Sequence, residues 1–210
     1  MSGVTLLDYG VGNTASVRRA FERLGAEAEL TADPERVASS RRIVLPGVGA
    51  FAPARERLAA TGLDRALSTA VAAGARLLGL CLGFQLLFEE SHEFGVTPGL
   101  GFLRGKITPF PKGVRVPHIG WNQLHRSSSE AKATSILASV PDGSYVYFVH
   151  SFRLEGYASE DVAATSDYGG GFPAVVVKGD VWGCQFHPEK SSEVGQTILR
   201  NFLNGQEKES

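Results

Sequence analysis

The stretch Ala75-Arg76-Leu77-Leu78-Gly79-Leu80-Cys81-Leu82-Gly83-Phe84-Gln85-Leu86-Leu87-Phe88 decides how the rest of the 210-residue chain is read. Ala75 to Leu80 is apolar apart from Arg76, and so unbroken a run suits a strand covered on both faces, as in a parallel sheet. It passes without a linker into Cys81 and a helical pattern from Leu82 to about Glu90. Gly79-Leu80-Cys81-Leu82-Gly83 is therefore a G-x-nucleophile-x-G elbow, whose glycines let neighbouring backbone pass close to a strained turn. The helix start supplies N–H groups and partial positive charge, which favour a thiolate and can receive an oxyanion. Cys81 is the candidate nucleophile and the Leu82 N–H a natural oxyanion donor; the plainer alternative is a small, inert core cysteine.

Outward from the elbow, Val4 to Leu7, Ala28 to Thr31 and Arg42 to Leu45 read as short strands. Between them, Val17, Ala20, Phe21 and Leu24 fall at i, i+3, i+4 and i+7 behind a cap at Asn13 or Thr14, and Gly25 suits the helix end. Pro53 to Ala60 and Leu63 to Ala73 also look helical. This alternation predicts βα units around a parallel sheet. In the second half, Gly- and Pro-rich breaks at 95–101, 109–120 and 167–173 separate strands at Tyr145 to Val149, Ala174 to Val177 and Val181 to Phe186. These read as hairpins and antiparallel additions to the same sheet, before a closing helix from about Glu193 to Leu203. The expectation is one α/β domain over 1–205, with Gln206 to Ser210 a frayed polar tail.

An apolar share of 43% against 20% charged residues describes a globular chain that can bury a core unaided, which excludes disorder, collagen and a disulfide scaffold. With 21 Lys and Arg against 22 Asp and Glu, the net charge of −1 offers no field for nucleic acid or an anionic membrane. A small uncharged or zwitterionic substrate fits better. Met1 to Asp8 has no basic segment leading into a long apolar one, and Leu77 to Phe88 is too short to span a bilayer, so a cytoplasmic protein is expected. There, Cys81 and Cys184 read as free thiols, although two cysteines could pair in an exported protein.

A thiolate needs a base, and the base an orienting group. Of five histidines, His187 follows its strand at once, in Gln185-Phe186-His187-Pro188-Glu189, so the imidazole sits at a strand's C-terminal edge, where open α/β sheets place their sites. Glu189 can accept its other ring N–H. The competing reading, zinc on Cys184-x-x-His187, needs two more ligands, and Cys81 with His118 or His150 is a forced set; no metal is expected. His118 and His150 stand in apolar or aromatic surroundings and read equally as pocket or core residues. Pro46-Gly47-Val48-Gly49-Ala50-Phe51 lacks the Lys-Ser/Thr of a phosphate loop, and Asp8-Tyr9-Gly10-Val11-Gly12 lacks the third glycine of a dinucleotide site.

Taken together, Gly79 to Gln85 and Phe186 to Glu189 resemble the class I, triad-type glutamine amidotransferases. Asp8-Tyr9-Gly10 with Asn13, Pro46 to Phe51, Pro117-His118-Ile119-Gly120-Trp121-Asn122, Tyr147 to Ser151 and Gln185 to Ser191 resemble, more narrowly, the glutaminase-subunit family of imidazole glycerol phosphate synthases. The resemblance implies a flavodoxin-like three-layer α/β sandwich, glutamine hydrolysis without metal or organic cofactor, and ammonia delivery to a (β/α)₈ cyclase subunit in histidine biosynthesis. It implies a Cys81-His187-Glu189 triad; oxyanion donors at Leu82, Val48 and Gly49; glutamine contacts from Gln85, Glu93, His150 and Ser151; and a partner-facing gate at Tyr147, Lys190, Trp121, Asn122 and Asn13. Phe152 replaces the usual tyrosine after His-Ser, losing a hydroxyl near the pocket, and Phe84 replaces a methionine. An elbow-type cysteine hydrolase is the alternative enzyme, but its acid should precede the histidine by tens of residues. A non-catalytic module on the same fold would have no use for the intact triad.

Overall fold

In β3 (Arg42–Leu45), Ile43 and Leu45 face one core while Val44 faces another, and in β4 (Arg76–Leu80) Leu77 joins the first and Leu78 and Leu80 the second. Strands buried on both faces must lie inside a covered sheet. The computed structural model, which describes residues 3–127 and 136–205, places them at the centre of an eight-stranded one; the tail expected at Gln206 to Ser210 lies outside the described residues.

The first half alternates β1 (Gly3–Leu7), α1 (Thr14–Arg23), β2 (Glu27–Thr31), α2 (Pro34–Ala38), β3, α3 (Phe51–Ala60), α4 (Leu63–Ala72) and β4, and α5 (Leu82–Leu86) follows β4 after Cys81 alone. The second half contributes β5 (Glu90–Ser91), β6 (Thr97–Pro98), β7 (Lys106–Pro109), β8 (His118–Gln123), β9 (His125–Arg126), β10 (Tyr145–His150), β11 (Phe152–Glu155), β12 (Val162–Asp167), β13 (Gly171–Lys178), β14 (Val181–Cys184) and α6 (Ser192–Asn204). The large sheet has the order β2-β1-β3-β4-β14-β13-β12-β9, parallel as far as β14 and antiparallel beyond it. Helices α1 and α6 cover one face, with Phe21 edge-on to Phe202; α3, α4 and α5 cover the other through Phe51, Leu58, Leu67 and Phe84. This is the three-layer α/β sandwich read from the sequence, with β13, β12 and β9 as its antiparallel additions.

Two expectations need correction. The strand at Tyr145 to Val149 does not join the large sheet: as β10 it pairs antiparallel with β8 in a separate ribbon, while β11, β7, β5 and β6 form a third sheet. The helix expected from Leu82 to about Glu90 stops at Leu86. Its next carbonyls are claimed from outside, Leu86 by the Leu100 N–H at 2.8 Å and Leu87 by the Leu103 N–H at 3.1 Å, so no helical ladder can continue there.

The tightest joint of the sandwich is α5 against β3, where a Cβ on Gly83 would collide with the Leu45 carbonyl. Gly83→Ala should therefore lose at least about 2 kcal/mol of folding stability. Denaturant melts check this, and an unchanged midpoint would refute the close approach.

Candidate active site

Because β4 and β14 are parallel neighbours, with Leu80 opposite Cys184, the chain leaving each strand emerges at the same sheet edge. Cys81 leaves β4 at φ 53° and ψ −106°, a conformation rare for a residue with a side chain. Its N–H donates to the Cys184 carbonyl at 2.9 Å and its thiol to the Val149 carbonyl at 3.6 Å. The strand expected to run to Phe186 ends at Cys184, and His187, three residues beyond β14, is in an extended conformation with its N–H bound to the Tyr147 carbonyl at 3.0 Å.

His187 Nδ1 lies 2.8 Å from Glu189 Oε1, and both side chains are almost wholly shielded from solvent, 6% and 2% exposed. An ionised carboxylate only accepts, so the proton on this side belongs to Nδ1. The Cys81 side chain shares one cleft with the ring and acts on its charge. Burial opposes the charged imidazolium, but the hydrogen bonds and charges of Cys81 and Glu189 outweigh it and push His187 up to about 10. Cys184 is fully buried, and burial together with Glu189 pushes its thiol far up, so it is a poor nucleophile. Among the described residues, no three His, Cys, Asp or Glu side chains gather where they could hold a metal ion, and no helix is long and apolar enough to cross a membrane.

Cys81 and His187 open onto a cleft of roughly 250 Å³, room for one amino acid, which Gln85, Glu93, His150 and Ser151 also line. Val48 and Gly49 stand exposed on its rim. The Leu82 N–H is directed at the Gly47 carbonyl, 3.4 Å away, a long bond that a better acceptor could displace. Gln85 Nε2 donates to the Phe152 carbonyl at 3.4 Å and to Gln185 Oε1 at 3.1 Å, and Glu93 Oε2 accepts the Phe51 N–H at 2.7 Å. Phe152 meets Phe94 edge-on at 6.4 Å, and Phe84 packs on Phe88 in the core.

Trp121 meets Tyr147 edge-on at 5.9 Å, and Lys190 Nζ lies 6.0 Å from the Tyr147 ring centre, so these three form one cluster beside the cleft. Asn13 caps α1 and lines a small cavity behind His187 and Glu189. Half-buried Asn122 donates from Nδ2 to the Asp167 carbonyl at 2.8 Å and lies 3.4 Å from His118 Nε2. Two residues were not foreseen: Tyr9, whose hydroxyl donates to the Pro46 carbonyl at 2.7 Å and so pins the Pro46 to Gly49 turn, and Gln185, which holds Gln85. Tyr9 belongs to a quoted motif, but nothing in a sequence says where its hydroxyl reaches.

A profile of the class-I glutamine amidotransferase family matches residues 5–205. The imidazole glycerol phosphate synthase subunit HisH of Caldanaerobacter subterraneus subsp. tengcongensis is 42% identical over 199 residues, covering 95% of this chain and 96% of its own. The HisH subunit of Geobacillus thermodenitrificans is 46% identical over 211 residues, 97% of this chain and 96% of its own. A crystal structure of a glutamine amidotransferase superposes with a TM-score of 0.74 at 22% identity, covering 95% of this chain and 96% of that one, which speaks for the fold. The chain therefore belongs to the class-I glutamine amidotransferase family, in the branch formed by the HisH subunits of imidazole glycerol phosphate synthase.

Proposed function

We propose that this chain hydrolyses glutamine to glutamate and ammonia at Cys81, His187 and Glu189, and passes the ammonia to a (β/α)₈ cyclase subunit in a heterodimer that makes imidazole glycerol phosphate and aminoimidazole carboxamide ribotide. The observation that carries the reading is the buried His187–Glu189 hydrogen bond, with His187 and Cys81 lining one cleft the size of an amino acid. An acid two residues after its histidine also argues against the elbow hydrolase.

The Cys81 thiolate attacks the side-chain amide carbon. The Leu82 N–H exchanges its long bond to Gly47 for the developing oxyanion, with Val48 and Gly49 N–H groups as further donors. His187, protonated at neutral pH, gives its proton to the departing ammonia, then takes one from the water that hydrolyses the thioester. Glu189 holds Nδ1–H throughout, so the nitrogen facing the sulfur makes both transfers. Gln85 and Glu93 grip the amino-acid end of the substrate, with His150 and Ser151 on the carboxylate side. Tyr147, Lys190, Trp121, Asn122 and Asn13 lie towards the cyclase.

Cys81→Ala in the reconstituted pair should abolish glutamine-dependent synthesis while synthesis from added ammonia continues. Retained glutaminase in that variant would remove the mechanism.

Removing the carboxylate in Glu189→Gln lets His187 fall from about 10 towards its ordinary 6.5. A lowered value depletes the imidazolium at alkaline pH, so the alkaline limb of kcat/KM should move to lower pH, by about one unit or more. An unmoved limb, measured from about pH 6 to 10, would mean Glu189 does not hold the proton.

Lys190→Ala should change the stimulation of glutaminase by the cyclase subunit and leave ammonia-driven synthesis near normal. Rates of both reactions in the pair decide it; unchanged stimulation and affinity would return Lys190 to the role of an ordinary surface lysine.

A further inference from the structure

Behind the Ser151 wall of the cleft, β8 and β10 bring two buried imidazoles together. His118 and His150 are register partners at the ends of these strands, and His118 Nδ1 lies 3.0 Å from His150 Nε2. His150 Nδ1 lies 2.8 Å from the Phe152 carbonyl oxygen, and His118 Nε2 3.4 Å from Asn122 Nδ2. The protons can be placed from the ends inward. A carbonyl only accepts, so His150 carries its proton on Nδ1 and, when neutral, offers Nε2 as an acceptor. His118 must then donate from Nδ1 and leave Nε2 to accept.

The donor for that last site is the amide of Asn122, whose orientation is fixed because its Oδ1 accepts the Gln123 N–H at 2.8 Å and its Nδ2 donates to the Asp167 carbonyl at 2.8 Å. The bonds thus run in one direction, from Asn122 through His118 and His150 to Phe152, with each member satisfied. Burial holds His118 down to about 4 and His150 down to about 3, so both rings are neutral at physiological pH. His118 is also clamped as a ring, stacked on Tyr168 at 4.0 Å and on Phe148 at 4.9 Å. At the far end, the Phe152 carbonyl takes its second hydrogen bond from Gln85 Nε2.

We infer that His118, which does not line the cleft, is a positioning residue for glutamine. Through His150 it holds the Phe152 carbonyl, and through that carbonyl it sets the Gln85 amide and the Ser151 backbone against the substrate. The inference rests on the proposed glutaminase function, because it assigns Gln85 and Ser151 to glutamine. His118 makes its bond with one nitrogen and its packing with the ring, and the two can be separated by substitution. His118→Phe keeps a ring between Tyr168 and Phe148 but has no donor. His118→Asn loses the ring but puts an amide nitrogen where Nδ1 was.

The experiment measures glutamine turnover of wild type and both variants in the reconstituted pair, with thermal melts, and histidine 15N NMR of the full chain. For wild type, the expected spectrum shows His118 and His150 neutral with protons on Nδ1; an Nε2–H form or an imidazolium at either overturns the inference. His118→Phe should raise the glutamine KM about tenfold with a smaller change in kcat, because it leaves His150 Nε2 without its donor. His118→Asn should stay within about threefold of wild type. The reverse order, or equal KM values in the two variants, would mean that His118 serves packing alone. If His118→Phe does not fold, the wild-type spectrum and His118→Asn still decide. A wild-type pair that turns over no glutamine would be seen first, and would sink the glutaminase reading rather than the assignment of the protons.

Discussion

Everything at the cleft depends on the chain turning from β4 into α5 through a single residue. Cys81 is held at positive φ, which costs on the order of 1–3 kcal/mol and persists only where the surroundings over-determine it. Three contacts do so: its own N–H on the Cys184 carbonyl, the bare Cα of Gly83 against the Leu45 carbonyl, and Gly79, where a Cβ would meet the Gly83 carbonyl oxygen at 2.6 Å. The turn thus draws on β3, β4 and β14 at once, the middle of the large sheet. A strained residue at the sheet centre has its backbone fixed by the middle of the fold, and its side chain opens onto the same cleft as His187.

The electrostatics follow from the same placement. Burial alone would leave His187 neutral, as it leaves His118 and His150, which are pushed down to about 4 and about 3. What distinguishes His187 is an acidic partner on each side of the ring, and these raise it to about 10 instead. Three buried imidazoles in one neighbourhood therefore have two opposite states. The two neutral ones serve as directed hydrogen-bond links, and the charged one can give a proton away. Glu189 sharpens this contrast, because its Oε2 has no hydrogen-bond partner among the described residues, so its remaining charge is not spread onto other donors.

The sequence carried the fold wherever apolar periodicity was strong. Val4 to Leu7, Arg42 to Leu45, Ala75 to Leu80 and the closing helix fall within a residue or so of β1, β3, β4 and α6, because burial on both faces or on one helical stripe leaves a pattern along the chain. It failed where pairing partners decide. Nothing local in Tyr145 to Val149 says that β8 rather than the large sheet receives it, and nothing in Leu86 to Phe88 says that residues 99–105 take the carbonyls that would have extended α5. The candidate site was legible for the same reason as β4: Cys81 follows a strand directly, while His187 stands three residues past β14, which ends at Cys184 rather than at the Phe186 expected from the sequence. The contacts from Tyr9, Gln185 and the Val149 carbonyl are long-range backbone and amide bonds with no sequence signature, as is the bond from Asn122 to the Asp167 carbonyl.

The small ribbon of β8 and β10 is attached to the catalytic turn more tightly than its separate pairing suggests. The His187 N–H binds the Tyr147 carbonyl at 3.0 Å, the Tyr147 N–H binds Ser191 Oγ at 3.0 Å, and Ser191 Oγ donates to the His187 carbonyl at 2.6 Å. These three bonds close a loop around one residue of β10, so the ribbon and the His187 backbone must move together or break buried hydrogen bonds, each costing roughly 1–3 kcal/mol. On the outer side of the same ribbon, Ile119 is 59% exposed, Trp121 51% and Tyr145 54%, an apolar surface of the kind that another protein covers. A partner seated there would bear on β10, and through Tyr147 on the position of the base itself, with no intervening loop to absorb the displacement.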